Sequence, residues 1–189
     1  MIIDKNIISK RVVEQTKSIL ERILNKDSTD LLNEEINKLY TPILLYLLGD
    51  EYKAIYWSPA YAPFSEDMQF PSFAKYGDWD LVDKKELSVY GDDTFDCFSK
   101  FSFIKFDITK TPRFPNEIKQ QSYDLSFFNV DWAEHGLTYI ASDIVLKQHG
   151  ILMTQRNNLS STHKFSNSDY SLIFDPEIGF PNYVLLEKQ

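Results

Sequence analysis

The sequence predicts an α/β (or α+β) fold, in which N-terminal helices precede a mixed sheet flanked by helices. The apolar residues follow a helical period over residues 1–50 and a strand-like period in much of residues 51–189. A hydrophobic fraction of 43% with 15% aromatic residues excludes a disordered chain. The length of 189 residues supports one good hydrophobic core and is too short for two comfortable ones. We therefore expect a single domain over residues 1–189.

Residues 1–50 predict amphipathic helices. The first follows an N-cap at Ser9. Its apolar stripe at helical spacing consists of Val12, Val13, Thr16, Ile19, Leu20, Ile23 and Leu24. A second helix is expected to open near Ser28–Asp30. Thr41 and Pro42 are typical of a cap and a first helical position, so a separate short helix is expected to restart there and to stop at Gly49.

Short runs of β-branched and aromatic residues predict the strands of the sheet. These runs are Tyr52–Trp57, Phe101–Ile108, Leu125–Val130, Ile151–Thr154, Ser171–Phe174 and Tyr183–Leu186. A bulge is expected in the second run, a helix over Leu137–Leu146, and antiparallel pairing between the last two runs. Residues 58–80 contain three prolines and Gly77, and are expected to form an ordered, aromatic-rich loop.

The charge of the chain restricts its partners. A formal net charge of −8 and a pI near 4.9 disfavour nucleic acid and anionic membrane surfaces, because both are bound mainly through Lys and Arg. A basic protein is a favoured partner, since complementary fields speed encounter, although solubility alone also explains an acidic chain. The single cysteine, Cys97, can form neither an intramolecular disulfide nor a zinc site. No secretory signal or membrane-spanning run is recognised, so a cytoplasmic location is expected.

Acidic and aromatic residues alternate between positions 78 and 96. Aromatic side chains supply burial at protein interfaces, and charges steer the encounter, so this stretch is predicted to bind the partner. A solvated acidic face is the alternative interpretation. The predicted partner-binding residues are Asp78, Trp79, Asp80, Asp83, Glu86, Tyr90, Asp92, Asp93 and Asp96.

In general character the chain resembles the immunity proteins encoded beside bacterial polymorphic or contact-dependent growth-inhibition toxins. It is similar to them in being small, acidic and rich in Ile, Lys, Asn and Asp. It also has no phosphate-binding loop, nucleophile elbow or helix with two histidines one turn apart. The resemblance implies a protein that neutralises a basic toxin nuclease by occluding its active cleft, with no cofactor. We therefore expect a binding protein rather than an enzyme.

A second resemblance supports the alternative function. The segment Tyr123–Asp131, followed by a helix and then by Gly150-Ile151-Leu152-Met153, resembles the second half of class I S-adenosylmethionine-dependent methyltransferases. The resemblance implies that Phe101–Ile108, which contains Asp107, is the preceding strand, and that the last two strands close the sheet. It implies a methyltransferase-like enzyme, active or degenerate. The glycine turn that holds the cofactor in that family is absent, because no glycine occurs between Gly49 and Gly77.

One small acid–imidazole cluster is a further candidate site. Asp131, Glu134 and His135 lie where a predicted strand ends and a helix begins. Such a cluster can hold an acid–base pair or a weak metal site. We favour the simpler interpretation, in which Asp131 caps the helix and His135 lies at the surface of its first turn.

Overall fold

The computed structural model describes residues 1–25, 30–57, 72–89, 95–128, 135–156, 169–177 and 183–189. Over these residues the chain forms one mixed sheet with helices on both faces, which confirms the predicted α/β class. The helices are α1 (Lys10–Leu24), α2 (Asp30–Leu48) and α3 (His135–Val145). The strands are β1 (Ile2–Ile3), β2 (Lys53–Trp57), β3 (Asp78–Asp83), β4 (Phe101–Lys105), β5 (Tyr123–Phe128), β6 (Leu146–Gln155), β7 (Tyr170–Asp175) and β8 (Tyr183–Lys188).

The order of strands in the sheet is β1-β7-β8-β6-β5-β2-β3-β4. The block from β4 to β6 is parallel throughout. Strand β8 lies between β6 and β7 and is antiparallel to both, which confirms the antiparallel pairing expected of the last two strands. The inner strands β2 and β5 are buried almost throughout, as expected for parallel strands covered on both faces.

Helices α1 and α2 cover one face of the sheet. Ser9 caps α1 as predicted, with its hydroxyl oxygen 3.5 Å from the backbone N–H of Val12. The predicted stripe is buried at Val12, Val13, Thr16, Ile19 and Ile23. Leu24, assigned to the same stripe, is instead 64% exposed at the end of the helix.

Helix α2 is continuous through Pro42, so the prediction of a separate short helix after Thr41 is wrong. Proline removes one backbone donor and disfavours a helix interior. Here the residues around it are fully buried against the sheet: Leu39, Tyr40, Ile43 and Leu44 are each 0% exposed. The helix ends as predicted at Gly49, whose φ of +78° is readily adopted by glycine.

Helix α3 and the segment after β4 cover the opposite face. Tyr139, Ala141 and Val145 of α3 are buried in the same apolar cluster as Phe128 and Leu152 of the sheet. Phe128 and Tyr139 meet edge to face, with ring centroids 4.9 Å apart. The sheet is therefore a central layer between two helical layers, and the site must lie at one of its edges.

Two strand predictions need correction. The loop expected over residues 58–80 contains part of β3, and Ser72–Lys75 forms a short 3-10 turn before that strand. The remainder, residues 58–71, lies outside the described part. Strand β4 ends at Lys105 rather than at Ile108, and Ile108 instead begins a further 3-10 turn. The pairing of β4 with β3 is regular, so the predicted bulge is not present in this strand.

Candidate functional site

The sheet reverses its direction of growth between β2 and β5. From β2 the chain adds β3 and β4 on one side, and then returns to add β5 and β6 on the other. In open α/β sheets, ligands bind in the crevice outside the carboxyl ends of the strands at such a reversal. We call this region the carboxyl-edge crevice. It lies beyond Trp57 of β2 and Phe128 of β5, which are paired in register.

Asp83 is the last residue of β3, the strand that neighbours β2. It is only 3% exposed. Its Oδ1 accepts a hydrogen bond of 2.8 Å from the backbone N–H of Lys85, which fixes the direction of the carboxylate. The buried carboxylate is thus held at the carboxyl edge one strand away from the reversal.

Asp107 follows the end of β4, the next strand along the edge. Its Oδ1 accepts hydrogen bonds from the backbone N–H of Thr109 at 3.0 Å and from the hydroxyl of Thr109 at 2.7 Å. These bonds lower the pKa of Asp107, and the positive charges of Lys110 and Lys84 lower it further. The backbone N–H of Phe106 donates to the carbonyl oxygen of Asp83 at 2.7 Å. Two carboxylates therefore emerge from adjacent strand ends at the same edge.

The floor of the crevice contains a chain of buried polar side chains. The indole N–H of Trp57 donates to the hydroxyl oxygen of Ser126 on β5 at 2.9 Å. The hydroxyl oxygens of Ser126 and Ser142, the latter on α3, are 2.8 Å apart. Trp57 is 1% exposed, and both serines are 0% exposed. This chain joins three elements and runs from the carboxyl end of β2, beside the crevice, to the middle of the sheet and to α3.

The opposite edge of the sheet carries a different polar cluster. The Asp80 carboxylate accepts a hydrogen bond of 2.5 Å from the hydroxyl of Tyr123 and lies 3.4 Å from the ammonium group of Lys53. Burial raises the pKa of the Tyr123 phenol, and the bond to Asp80 raises it further. Asp124 accepts from the backbone N–H of Lys53 at 2.9 Å and pairs with Lys147 at 2.7 Å. Because these groups satisfy one another at the amino ends of the strands, we assign them a structural role.

The predicted acidic surface does not form one face. Asp78 lies at the amino end of β3, where it pairs with Lys100, and Asp80 lies in the middle of the strand, opposite Ile55. Asp83 lies at the carboxyl edge, about 17 Å from the start of β3 at 3.3 Å per residue. Trp79, the predicted aromatic anchor, is 0% exposed and belongs to the core.

The other predicted residues divide into two groups. Glu86 pairs with Lys105 at the surface, and Asp96 is exposed. Tyr90, Asp92 and Asp93 lie outside the described residues. The same holds for Asp131 and Glu134, and for the side chain of His135, which begins α3. Among the described residues, no group of three or more His, Cys, Asp and Glu side chains is placed to hold a metal ion.

Sequence comparisons identify no relative. No known protein-family model matches the sequence. No curated protein matches it either.

Solved structures do share the fold. The CurJ carbon methyltransferase matches with a TM-score of 0.57 and 12% identity, over 98% of this chain. This chain spans only 61% of the length of that one. The 1,6-didemethyltoxoflavin-N1-methyltransferase of Burkholderia thailandensis, solved with 1,6-didemethyltoxoflavin and S-adenosylhomocysteine, matches with a TM-score of 0.51 and 10% identity, over 95% of this chain and 88% of that one. A protein from Corynebacterium glutamicum also has a TM-score of 0.51, with 13% identity over 95% of this chain and 90% of its own. At these identities the likeness establishes a methyltransferase-like Rossmann fold.

This likeness corrects the leading functional prediction. The resemblance to toxin-immunity proteins is wrong, because the fold matches methyltransferases over nearly the whole chain. The expectation of a basic toxin partner came from the net charge, and the expectation of a protein that is not an enzyme came from the missing motifs; the same finding overturns both. The chain shares its composition and charge with immunity proteins, but these two properties do not determine the order of the strands in the sheet. In the part of the chain that the structure describes, no helix is long and apolar enough to cross a membrane.

Proposed function

We propose that this protein is an S-adenosylmethionine-dependent methyltransferase that acts on a small-molecule acceptor. The observation that carries the proposal is the reversal between β2 and β5, with Asp83 and Asp107 at the carboxyl ends of the strands beyond it. The small-molecule acceptor is supported by the Burkholderia enzyme of the same fold, which was solved with 1,6-didemethyltoxoflavin.

Asp83 suits the ribose of the cofactor. In nucleotide-binding folds of this type, an acidic residue downstream of the first turn accepts hydrogen bonds from the ribose hydroxyls. The Asp83 carboxylate is buried at the correct edge, and its Oδ1 is oriented by the N–H of Lys85. A carboxylate oriented before binding needs little reorganisation when a hydroxyl donor arrives.

Asp107 suits a second donor on the same ligand. An ionised carboxylate accepts hydrogen bonds from amino groups. Asp107 is ionised at neutral pH, as an aspartate normally is, and its lowered pKa extends the ionised form to more acidic pH. It can therefore accept from the exocyclic amino group of an adenine. Asp83 and Asp107 therefore fit the adenosine half of S-adenosylmethionine. No residue is assigned to the other half, because the sequence has no glycine turn after β2 and residues 58–71 lie outside the described part.

The reaction follows from the chemistry of the cofactor. When bound, S-adenosylmethionine supplies an electrophilic methyl group, which passes to a nucleophilic atom of the acceptor and leaves S-adenosylhomocysteine. Asp83 and Asp107 bind and orient the adenosine, and neither is assigned to proton transfer. Trp57 and Phe128 are 1% and 0% exposed, so the sheet beneath the crevice is closed to water by packed side chains.

Asp83→Asn tests the proposal most directly. We expect the affinity for S-adenosylhomocysteine, measured by titration calorimetry, to fall about 10- to 100-fold, since hydrogen bonds to a charged group contribute about 1.5–3 kcal/mol. Asparagine keeps a carbonyl oxygen that can accept from the N–H of Lys85, so the local turn is retained.

Asp78→Asn is the matched control, because Asp78 lies on the same strand at the opposite edge and pairs with Lys100. The affinity of this variant for S-adenosylhomocysteine should equal that of the unmodified protein. The proposal fails if the unmodified protein binds neither S-adenosylmethionine nor S-adenosylhomocysteine at millimolar concentration. Equal affinity in Asp83→Asn and Asp78→Asn would remove Asp83 from the site.

A further inference from the structure

The polar chain Trp57–Ser126–Ser142 lies at a position that the apolar core does not require. All three side chains are buried, and their surroundings include Ile55, Val145 and Leu152, which are apolar and 0% exposed. Burying a hydroxyl costs free energy unless it is hydrogen-bonded, so apolar side chains of similar size would fill this space without that cost. A buried network in which each side chain has a hydrogen-bond partner therefore favours one arrangement over others.

The chain joins the strands that flank the reversal of the sheet. Trp57 is the last residue of β2, and Ser126 lies on β5 opposite Ile55. The bond from the indole to Ser126 runs from the carboxyl end of β2 to the middle of β5. An indole has a single N–H donor, so this bond fixes the orientation of the ring as well as its distance from β5.

Ser142 extends the chain to the helical layer. It lies on α3, the helix between β5 and β6, with its hydroxyl oxygen 2.8 Å from that of Ser126. The height of α3 over the sheet is thus tied to the pair of strands at the reversal. Phe128, the last residue of β5, packs against Tyr139 of the same helix, so the end of β5 is in direct contact with α3.

We infer that Trp57, Ser126 and Ser142 are positioning residues for the cofactor site. They set the relative positions of β2, β5 and α3 beneath the crevice and touch no substrate themselves. This inference rests on the proposed function, because the site they position is the one proposed for S-adenosylmethionine.

Ser142→Ala tests the inference, with S-adenosylhomocysteine as the probe. We expect its affinity, measured by titration calorimetry on the full chain, to fall about 3- to 10-fold, the factor that corresponds to one hydrogen bond. Thr16→Ala is the matched control. Thr16 is also 0% exposed and donates its hydroxyl to the carbonyl oxygen of Val12 at 2.9 Å, but it lies on α1. The control should lose stability with no loss of affinity.

Trp57→Phe is the second variant, and it keeps the inference testable if Ser142→Ala fails to fold. It removes the indole donor at the other end of the chain and should lower the affinity by a similar factor. If the three residues act as one unit, the double variant should lose less affinity than the two single losses combined.

The outcomes separate the two claims. If the unmodified protein binds the probe and both Ser142→Ala and Trp57→Phe bind it equally well, the positioning role is wrong and the proposed function stands. Absence of binding by the unmodified protein overturns the proposed function and the positioning role together. A loss of affinity in Thr16→Ala equal to that in Ser142→Ala would show that the effect is general to buried hydroxyls, and would also overturn the inference.

Discussion

Replacing Trp79 with alanine is expected to lower the free energy of unfolding by about 3–5 kcal/mol. The side chain is 0% exposed, and its ring lies 5.2 Å from that of Phe98 and 6.1 Å from those of Tyr52 and Phe73, measured between centroids. Its indole N–H also donates to the carbonyl oxygen of Tyr76 at 2.7 Å. The variant loses both the packing of a large ring and a buried hydrogen bond.

Urea denaturation followed by circular dichroism measures this loss. Phe101→Ala is the control, because Phe101 is paired with Trp79 across β3 and β4 but is 38% exposed. We expect the control to lose clearly less than Trp79→Ala. Equal losses in the two variants would contradict the assignment of Trp79 to the core.

Gly77→Ala should destabilise the protein by about 2–5 kcal/mol, the sum of a left-handed backbone and an overpacked site. Gly77 has a φ of +74°, and a Cβ atom there would lie 2.5 Å from the carbonyl oxygen of Tyr52 and 2.7 Å from its ring. That carbonyl accepts from the backbone N–H of Asp78 at 2.8 Å, so it cannot move without breaking the start of β3.

Gly49→Ala separates the two contributions. Gly49 has a similar φ of +78°, but among the described residues no atom beyond its immediate neighbours in the chain lies within 4 Å of the position of its added Cβ. It should therefore show only the cost of the left-handed backbone, about 1–2 kcal/mol. If thermal or urea denaturation gives the same loss for both variants, the contact with Tyr52 does not restrict position 77.

The sequence predicted those elements whose apolar residues form a regular helical stripe or a continuous run. Helix α1 packs one face against the sheet, so its apolar stripe and its N-cap at Ser9 could be predicted from the sequence. Strands β2 and β5 are buried on both faces and appear as continuous apolar runs. The antiparallel pair β7–β8 was recognised from the turn residues Asp175-Pro176 and Gly179 between two apolar runs.

The errors arose where distant contacts override local signals. Pro42 indicated a helix boundary, yet the packing of α2 on the sheet keeps the helix continuous. Strand β3 was hidden by its acidic residues, because the partners of Asp80, namely Lys53 and Tyr123, are remote in sequence. The acidic stretch was therefore interpreted as a surface, and Trp79 as an exposed anchor.

Only part of the candidate site could be predicted from the sequence. Asp83 was selected for its charge and assigned to a protein interface, and Asp107 was recognised only as the end of a methyltransferase-like strand. Their common edge depends on the order of β3 and β4 in the sheet, which no local pattern encodes. Ser126 and Ser142 were missed, since an isolated serine in an apolar run gives no sign of its partner.

The pairing of β1 with β7 has a consequence for folding during synthesis. Ile2 is aligned with Asp175, so β1 has no partner until the chain has been translated as far as β7. At about 5–20 residues per second, this delay is about 9–35 s. Strand β2 waits a shorter time, since β5 follows it by fewer residues. Contacts between distant residues slow folding, so we expect the central parallel strands to assemble first and the N-terminal strand to dock last.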